Sequence, residues 1–259
     1  MTFTLDLSGR RAVVTGAGRH VGRALARALA EAGAEVGVND LYGDRIDDTI
    51  QLIHDDGGAA FRLPFDVTDA DAVEAALADV GTDILVNNAG NAGAEELTGV
   101  PPRLLDSKPG DWDKFFRVNL FGVMYCTRAV LPAMVERQWG RVITIVSDAA
   151  RKPQAGMTAY GAAKGGAAAF CRAAAAEVGR NGITVNCISL GTIPQAQWEM
   201  ADGPSEVSEH RQRAVREYTL RRFGTPEDIT GMVVLLASDR GSWITGQTIP
   251  VNGGFSFSL

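Results

Sequence analysis

Tyr160 and Lys164 stand four residues apart in the segment AYGAAKGG. On a helix that spacing places both on one face. A lysine held near a phenol favours the phenolate, and burial sets how strongly. Such a pair is suited to moving a proton near neutral pH. Tyrosine–lysine pairs are also common on solvated helix faces, so this one gains meaning only from its neighbours. Ser147 ends the apolar run RVITIVS, and Asn119 lies in RVNLFG near the start of an apolar helix. Open α/β sheets bind ligands at the carboxyl ends of their strands, which is where Ser147 would fall.

A second constellation lies far upstream. The stretch TGAGRHVG, Thr15 to Gly22, follows the apolar run RRAVV and precedes the alanine-rich GRALARALAEAG. Strand, glycine turn and helix in that order suit a phosphate. Gly16, Gly18 and Gly22 permit the turn, a close backbone approach and tight helix packing, and the amides of a helix from Val21 face the anion. Asp40, in VGVNDL, lies about twenty residues on, where a carboxylate can accept hydrogen bonds from a ribose. His20 is the anomaly, a bulky side chain in a loop that favours small ones.

Positioning these groups requires a sheet. Short β-branched runs mark strands over Ala12–Thr15, Glu35–Asn39, Ala60–Phe65, Ile84–Asn87, Val142–Ser147, Thr184–Ile188 and Thr248–Val251, and most are separated by helix-length segments. This rhythm predicts an α/β fold, a doubly wound parallel seven-stranded sheet in a single domain over residues 1–259. Two stretches break it. Residues 91–111 read as a long loop with three prolines, and residues 192–215 as a polar substrate lid with Trp198 and Met200 embedded.

Composition excludes several alternatives. With 259 residues, 46% hydrophobic and 22% charged, the chain can bury a large core. The net charge is −6 and no basic run appears, so no nucleic-acid partner is expected. Three scattered cysteines, Cys126, Cys171 and Cys187, fall in apolar segments and read as buried free thiols. Three histidines without ligand spacing give no metal site. The segment GVMYCTRAVLPAM contains Arg128 and reads as too short to span a membrane. The opening residues MTFTLDLSGRRA lack a basic-then-apolar signal pattern, and a cytoplasmic location is expected.

Over nearly its whole length the chain resembles the short-chain dehydrogenase/reductase family. The segments that carry the resemblance are TGAGRHVG, FDVTD, DILVNNAG, RVNLFG, GRVITIVS, YGAAK, GITVN, RRFGTPEDI and ITGQTIPVNGG, with Ser147 thirteen residues before Tyr160 as in that family. The resemblance implies a Rossmann fold and a hydride exchanged between a nicotinamide and a hydroxy/keto small molecule. Tyr160 would exchange the proton with the substrate oxygen and Ser147 would hold that oxygen. Lys164 would bind the nicotinamide ribose and lower the tyrosine pKa, and Asn119 would anchor a water leading to Lys164. Gly16, Gly18, Arg19, His20, Val21, Asp40, Asp66, Val67, Asn88, Ala89, Gly90, Gly191 and Ile193 would contact or support the cofactor, Asp66 at the adenine. The chemistry agrees, because hydride transfer to a ketone builds charge on oxygen that a hydroxyl donor and a poised phenol offset. The family's helix pairing further implies a homotetramer or homodimer.

The departures set further expectations. His20 stands where the family has the middle glycine. It is expected to donate to the pyrophosphate along the helix N-terminus, more strongly when protonated. Leu190 takes a proline position before Gly191, Gln195 a threonine position, and Asn252 replaces a common aspartate. Asp40 favours NAD over NADP by repelling a 2′-phosphate, although Arg19 sits where NADP-using relatives place a base. For substrate, VNDLYGD and SDAARKPQ resemble hydroxyacyl-CoA dehydrogenases, with Arg103 and Arg151 available to CoA phosphates. A steroid or other bulky apolar ketone suits Met157, Trp198 and Met200 equally. A non-catalytic NAD-binding scaffold or sensor is a third reading, supported only by His20 and Leu190.

Overall fold

The computed structural model describes residues 4–90, 103–152, 154–194 and 206–257. Seven parallel strands form one sheet: β1 (Arg11–Val14), β2 (Glu35–Val38), β3 (Ala59–Arg62), β4 (Ile84–Asn87), β5 (Gly140–Ser147), β6 (Ile183–Leu190) and β7 (Thr248–Val251). Their order in space is β3-β2-β1-β4-β5-β6-β7, the doubly wound arrangement expected from the sequence. The winding reverses between β1 and β4, whose register pairs Ala12 with Ile84 and Val14 with Val86.

Alternation along each strand feeds two cores. Ala12, Val14, Ile84, Val86, Ile143 and Ile188 face one side, covered by α1 (His20–Glu31), α2 (Gly43–Asp55) and α8 (Glu227–Ala237). Val13, Leu85, Val142, Val185 and Cys187 face the other, covered by α3 (Ala70–Leu77), α5 (Gly122–Arg137) and α6 (Thr158–Val178), with the one-turn α4 (Asp113–Phe116) against α6. β5 and β6 are buried almost throughout, and their apolar residues point to both faces, as in a parallel sheet covered on each side. All three cysteines are free and buried. Pro250 sits in β7 at the sheet edge, where a missing N–H breaks no ladder.

Several expectations change. β3 stops at Arg62, short of Phe65, and only Leu63 N–H still donates to the Val38 carbonyl beyond it. Of the expected loop, residues 91–102 lie outside the described residues, and 103–111 hold two short 3₁₀ turns. Of the expected lid, 195–205, with Gln195, Trp198 and Met200, lie outside them, while Glu206–Arg216 forms a helix, α7. The apolar segment around Arg128 is also longer than its sequence suggested. Pro109–Arg137 runs for 29 residues and is long and apolar enough, by composition, to cross a membrane. Of its most apolar window 39% is buried, with Val123, Cys126, Val130 and Met134 in the second core.

Candidate active site

The reversal point is stitched by side chains at the ends of β1 and β4. Thr15 Oγ1 accepts from the Asn88 and Ala89 amides, both at 3.0 Å. Asn88 Nδ2 donates to the carbonyls of Thr15 and Gly16 at 2.9 and 3.0 Å. The chains approach so closely that a Cβ on Gly22 would lie 2.1 Å from the Gly16 carbonyl oxygen. Only glycine fits there, as the loop motif requires.

Asp40 lies two residues past β2 and is buried. Its Oδ2 accepts from Gly18 N–H at 3.1 Å and its Oδ1 from Tyr42 N–H at 3.1 Å, so it braces the glycine loop while retaining acceptor capacity. Two arginines flank it. Arg45, in the first turn of α2, lies 4.0 Å from Asp40 Oδ1 and stacks its guanidinium over Tyr42. Burial and then Arg45 push the pKa of Arg19 down, with Asp40 opposing. These groups line a cavity of about 320 Å³ together with Gly16, Asp66, Val67 and Ala89. Arg45 and Tyr42 were not singled out from the sequence, although NDLYGDR places an arginine five residues past Asp40.

A second cavity, of about 290 Å³, contains Ser147, Tyr160 and Lys164. Ser147 Oγ accepts from the Ala149 amide at 3.2 Å and shares this cavity with the Tyr160 phenol. Burial raises the Tyr160 pKa, and the Ser147 hydroxyl offsets it in part. Lys164 Nζ donates to the Ile145 carbonyl at 2.8 Å. The lysine is therefore fixed to β5, and the phenol's shift is upward, set by burial, rather than the lowering expected from the lysine charge. Burial pushes Lys164 itself down to about 8. Asn119 is fully buried in a π-helical turn, Arg117–Phe121, and its Nδ2 donates to the Phe115 carbonyl at 3.0 Å. Such turns recur at functional sites. A Cβ on Gly90 would come within 3.1 Å of Asn119 Oδ1 and 3.2 Å of Lys164 Nζ, so all three groups meet at one point.

The two cavities share His20, Val21, Asn88 and Gly90 as lining, which makes them one elongated cleft. His20 stands at the junction with φ +52°, a left-handed conformation that favours glycine. Its Nε2 lies 2.8 Å from the Pro194 carbonyl oxygen. The ring thus reaches the segment leaving β6, rather than lying along the helix N-terminus as expected. A neutral Nε2–H tautomer suffices for that bond. The same segment is held by Tyr218, whose hydroxyl accepts from Thr192 N–H at 2.8 Å and donates to Thr192 Oγ1 at 2.9 Å. It carries Gly191 and Ile193 along the cavity wall. Tyr218 was missed because nothing local in REYTL marks it.

Lys164 gives a stability test with a defined sign. Below pH 8 the lysine is charged in both folded and unfolded chains, and the full cost of burying the charge applies. Between about 8 and 10.5 the folded protein sheds the proton first, so the cost shrinks, and above 10.5 it is gone. Lys164→Met is expected to stabilise the protein by about 1–2 kcal/mol at pH 7, after allowing for the unpaired Ile145 carbonyl. The gain fades towards pH 10.5. Urea unfolding at pH 7 and pH 10 measures it, and equal stability of the two proteins at pH 7 contradicts the burial cost.

Comparison with known proteins places this geometry. The family profile described as Enoyl-(Acyl carrier protein) reductase matches residues 16–256. The chain is 32% identical over 257 residues to a 7alpha-hydroxysteroid dehydrogenase of Escherichia coli, covering 96% of this chain and 95% of the relative. It is 34% identical over 258 residues to a (2S)-((R)-hydroxy(phenyl)methyl)succinyl-CoA dehydrogenase subunit of Thauera aromatica, covering 97% and 98%. Among solved structures, a putative gluconate dehydrogenase from Agrobacterium tumefaciens superposes with a TM-score of 0.90 at 30% identity, covering 100% of both chains. A gluconate 5-dehydrogenase from Burkholderia cenocepacia, in complex with NADP and tartrate, gives 0.86 at 32% identity and 98% coverage of both. A 3-oxoacyl-(acyl-carrier protein) reductase from Brucella melitensis, with bound NAD, gives 0.87 at 32% identity, covering 98% of this chain and 94% of that one. With fold, site and whole-chain similarity in agreement, the chain belongs to the short-chain dehydrogenase/reductase family.

Proposed function

We propose that Ser147, Tyr160 and Lys164 carry the reaction of an oxidoreductase that interconverts a secondary alcohol and a ketone with NAD(P). The observation that carries this reading is their convergence on one cavity, continuous with the cavity beside Asp40. The cleft suits an extended dinucleotide. Gly22 lets α1 close against the Gly16 turn, and Asp40, Asn88 and the amides at the start of α1 supply polar groups along the cleft. When bound, the nicotinamide supplies or accepts the hydride. Ser147 holds the substrate oxygen, and Tyr160 gives it a proton in reduction or takes one in oxidation. Lys164 and Asn119 stand behind the phenol and move its proton. Asp66, Val67, Ala89, Gly90, Gly191 and Ile193 shape the cofactor cleft.

Within that chemistry we infer NAD as the preferred cofactor, because Asp40 sits where a 2′-phosphate would add about two negative charges. For the substrate we infer a hydroxyacyl-CoA. Arg151 supports it: Nη1 is buried with no hydrogen-bond partner among the described residues, four positions beyond Ser147. A relative in Thauera aromatica also carries the name of a (2S)-((R)-hydroxy(phenyl)methyl)succinyl-CoA dehydrogenase subunit. A bulky apolar ketone is the second reading, favoured by Met157, Leu190 and Phe255 on the cavity wall.

Three measurements test these assignments. Tyr160→Phe is expected to lower kcat by about 100- to 10,000-fold. NADH affinity should stay near normal, and a variant keeping half the wild-type rate removes Tyr160 from the proton step. Asp40→Ala is expected to narrow the NAD:NADP ratio of kcat/KM by about ten-fold, as Arg19 and Arg45 become free to pair with a 2′-phosphate. An unchanged ratio shows that Asp40 does not read the ribose. His20→Gly relieves left-handed strain but cuts the bond to Pro194. NADH affinity is expected to fall by about three- to ten-fold, the worth of one neutral hydrogen bond. Equal or tighter binding by His20→Gly in fluorescence titration rejects the tether.

A further inference from the structure

Asp148 follows Ser147 directly and is 1% exposed. Its carboxylate accepts from three side chains. Ser189 Oγ, in β6, donates to Oδ1 at 2.5 Å. Asn252 Nδ2, just past β7, donates to Oδ2 at 2.6 Å, and Ser256 Oγ, near the C-terminus, donates to Oδ2 at 2.8 Å. One carboxylate therefore joins the carboxyl ends of β5, β6 and β7 to the C-terminal segment. The main chain of Asp148 is fixed as well, its carbonyl accepting from the Arg151 and Lys152 amides at 2.8 and 2.7 Å.

Two elements of the substrate cavity hang from this point. The first is the turn Asp148–Ala150, whose Ala149 amide donates to Ser147 Oγ. That bond occupies a lone pair of Ser147 Oγ and fixes the oxygen in the cavity that also holds Tyr160. The second is the segment Gly254–Ser256, which brings Phe255 onto the cavity wall. Phe255 stacks on Tyr218 with centroids 4.7 Å apart, and Lys152 Nζ lies 3.6 Å from the centre of its ring. Tyr218 in turn holds Thr192, which also lines the cavity.

We propose that Asp148 is a positioning residue, whose side chain, seated among Ser189, Asn252 and Ser256, aims the Ser147 hydroxyl and sets the Phe255 wall of the substrate cavity. This rests on the reading of Ser147 and Tyr160 given above. Hydrogen-bond geometry, not charge, does the work. An asparagine can reproduce the set, its amide oxygen accepting from Asn252 and Ser256 and its amide nitrogen donating to Ser189 Oγ. Alanine cannot.

The test uses the full-length enzyme with NAD and the better of two probe substrates, 3-hydroxybutyryl-CoA or a 7-hydroxysteroid. Asp148→Ala is expected to lower kcat by about ten- to a hundred-fold and to raise KM, as for a catalytic group displaced by less than about 1 Å. NADH affinity should stay within about two-fold, because the cofactor cleft beside Asp40 is untouched. Asp148→Asn should recover kcat to within about three-fold of wild type. Ser256→Ala should raise KM about five-fold with kcat nearly unchanged, and should add nothing in the Asp148→Ala background, as expected for residues acting in one network. Wild-type kcat and KM in Asp148→Ala overturn the proposal, as do a matching loss of NADH affinity or an Asp148→Asn as impaired as the alanine variant. If Asp148→Ala fails to fold, an unchanged KM in Ser256→Ala overturns it. Amide exchange over residues 253–257 gives a readout independent of turnover. Faster exchange in Asp148→Ala or Ser256→Ala, restored to wild-type protection in Asp148→Asn, supports the anchor, and unchanged exchange overturns it. Absence of turnover by the wild type on both probes would count against the substrate reading alone, and the exchange data would still decide on Asp148.

Discussion

The structure depends on how closely β1 and β4 can be brought together at their carboxyl ends. A parallel sheet that reverses its winding there leaves a crevice, and the crevice is useful only if its rim is rigid. Thr15 and Asn88 supply that rigidity. One hydroxyl accepts two backbone amides, and one carboxamide donates to two carbonyls across the gap. These four bonds satisfy main-chain groups that would otherwise be stranded where the strands end. They also fix the glycine turn on one side and Gly90 on the other. Gly90 is the point at which Asn119 and Lys164 come together. The cofactor end and the proton-moving end of the cleft are therefore aligned by the same contact.

The reacting end is built on different physics. Lys164 is carried in a helix rich in small side chains, so it can lie against β5, where its ammonium donates to Ile145. Burial then acts on both proposed proton carriers in opposite directions, pushing the phenol up and the amine down. The ordinary values of the two groups are close together, and burial inverts their order. A buried amine that gives up its proton near pH 8 is a better conduit than one fixed at its ordinary value. Holding that amine dry destabilises the fold, a trade common where function needs an unfavourable charge.

Most of the sheet was legible in the sequence because burial on both faces leaves little choice of residue. The runs that became β4, β5 and β6 are rich in β-branched and other apolar residues, and the glycine turn is set by contacts only glycine tolerates. The short edge strand β3 was harder, because half-exposed residues constrain its end weakly. Helix α7 was hidden for the same reason, since EVSEHRQRAVR is so polar that its helical period is faint. Tyr160 and Lys164 could be paired from spacing alone because a helix fixes i and i+4. Partners across the fold could not. His20 meets Pro194 at a separation of 174 residues, Asp148 meets Ser256 at 108, and no local pattern encodes either contact.

His20 shows how such a distant contact can change the meaning of a local departure. Read along the chain, a histidine in a glycine position is an intrusion on an anion site. In the structure the backbone keeps the left-handed turn a glycine would adopt, and a non-glycine residue there costs about 1 kcal/mol. The ring leaves the loop and bonds a carbonyl on the far wall of the cleft. A net hydrogen bond is worth about the same amount, so the exchange is close to neutral for stability. What changes is connectivity. With glycine, the loop and the segment after β6 would be independent walls. With histidine they are joined across the middle of the cleft, where the two cavities meet. Because the join is to a main-chain carbonyl, it constrains where Pro194 sits without demanding a particular residue there. The substitution therefore acts on the shape of the site more than on its charge, and its effect is carried by a segment far away in sequence.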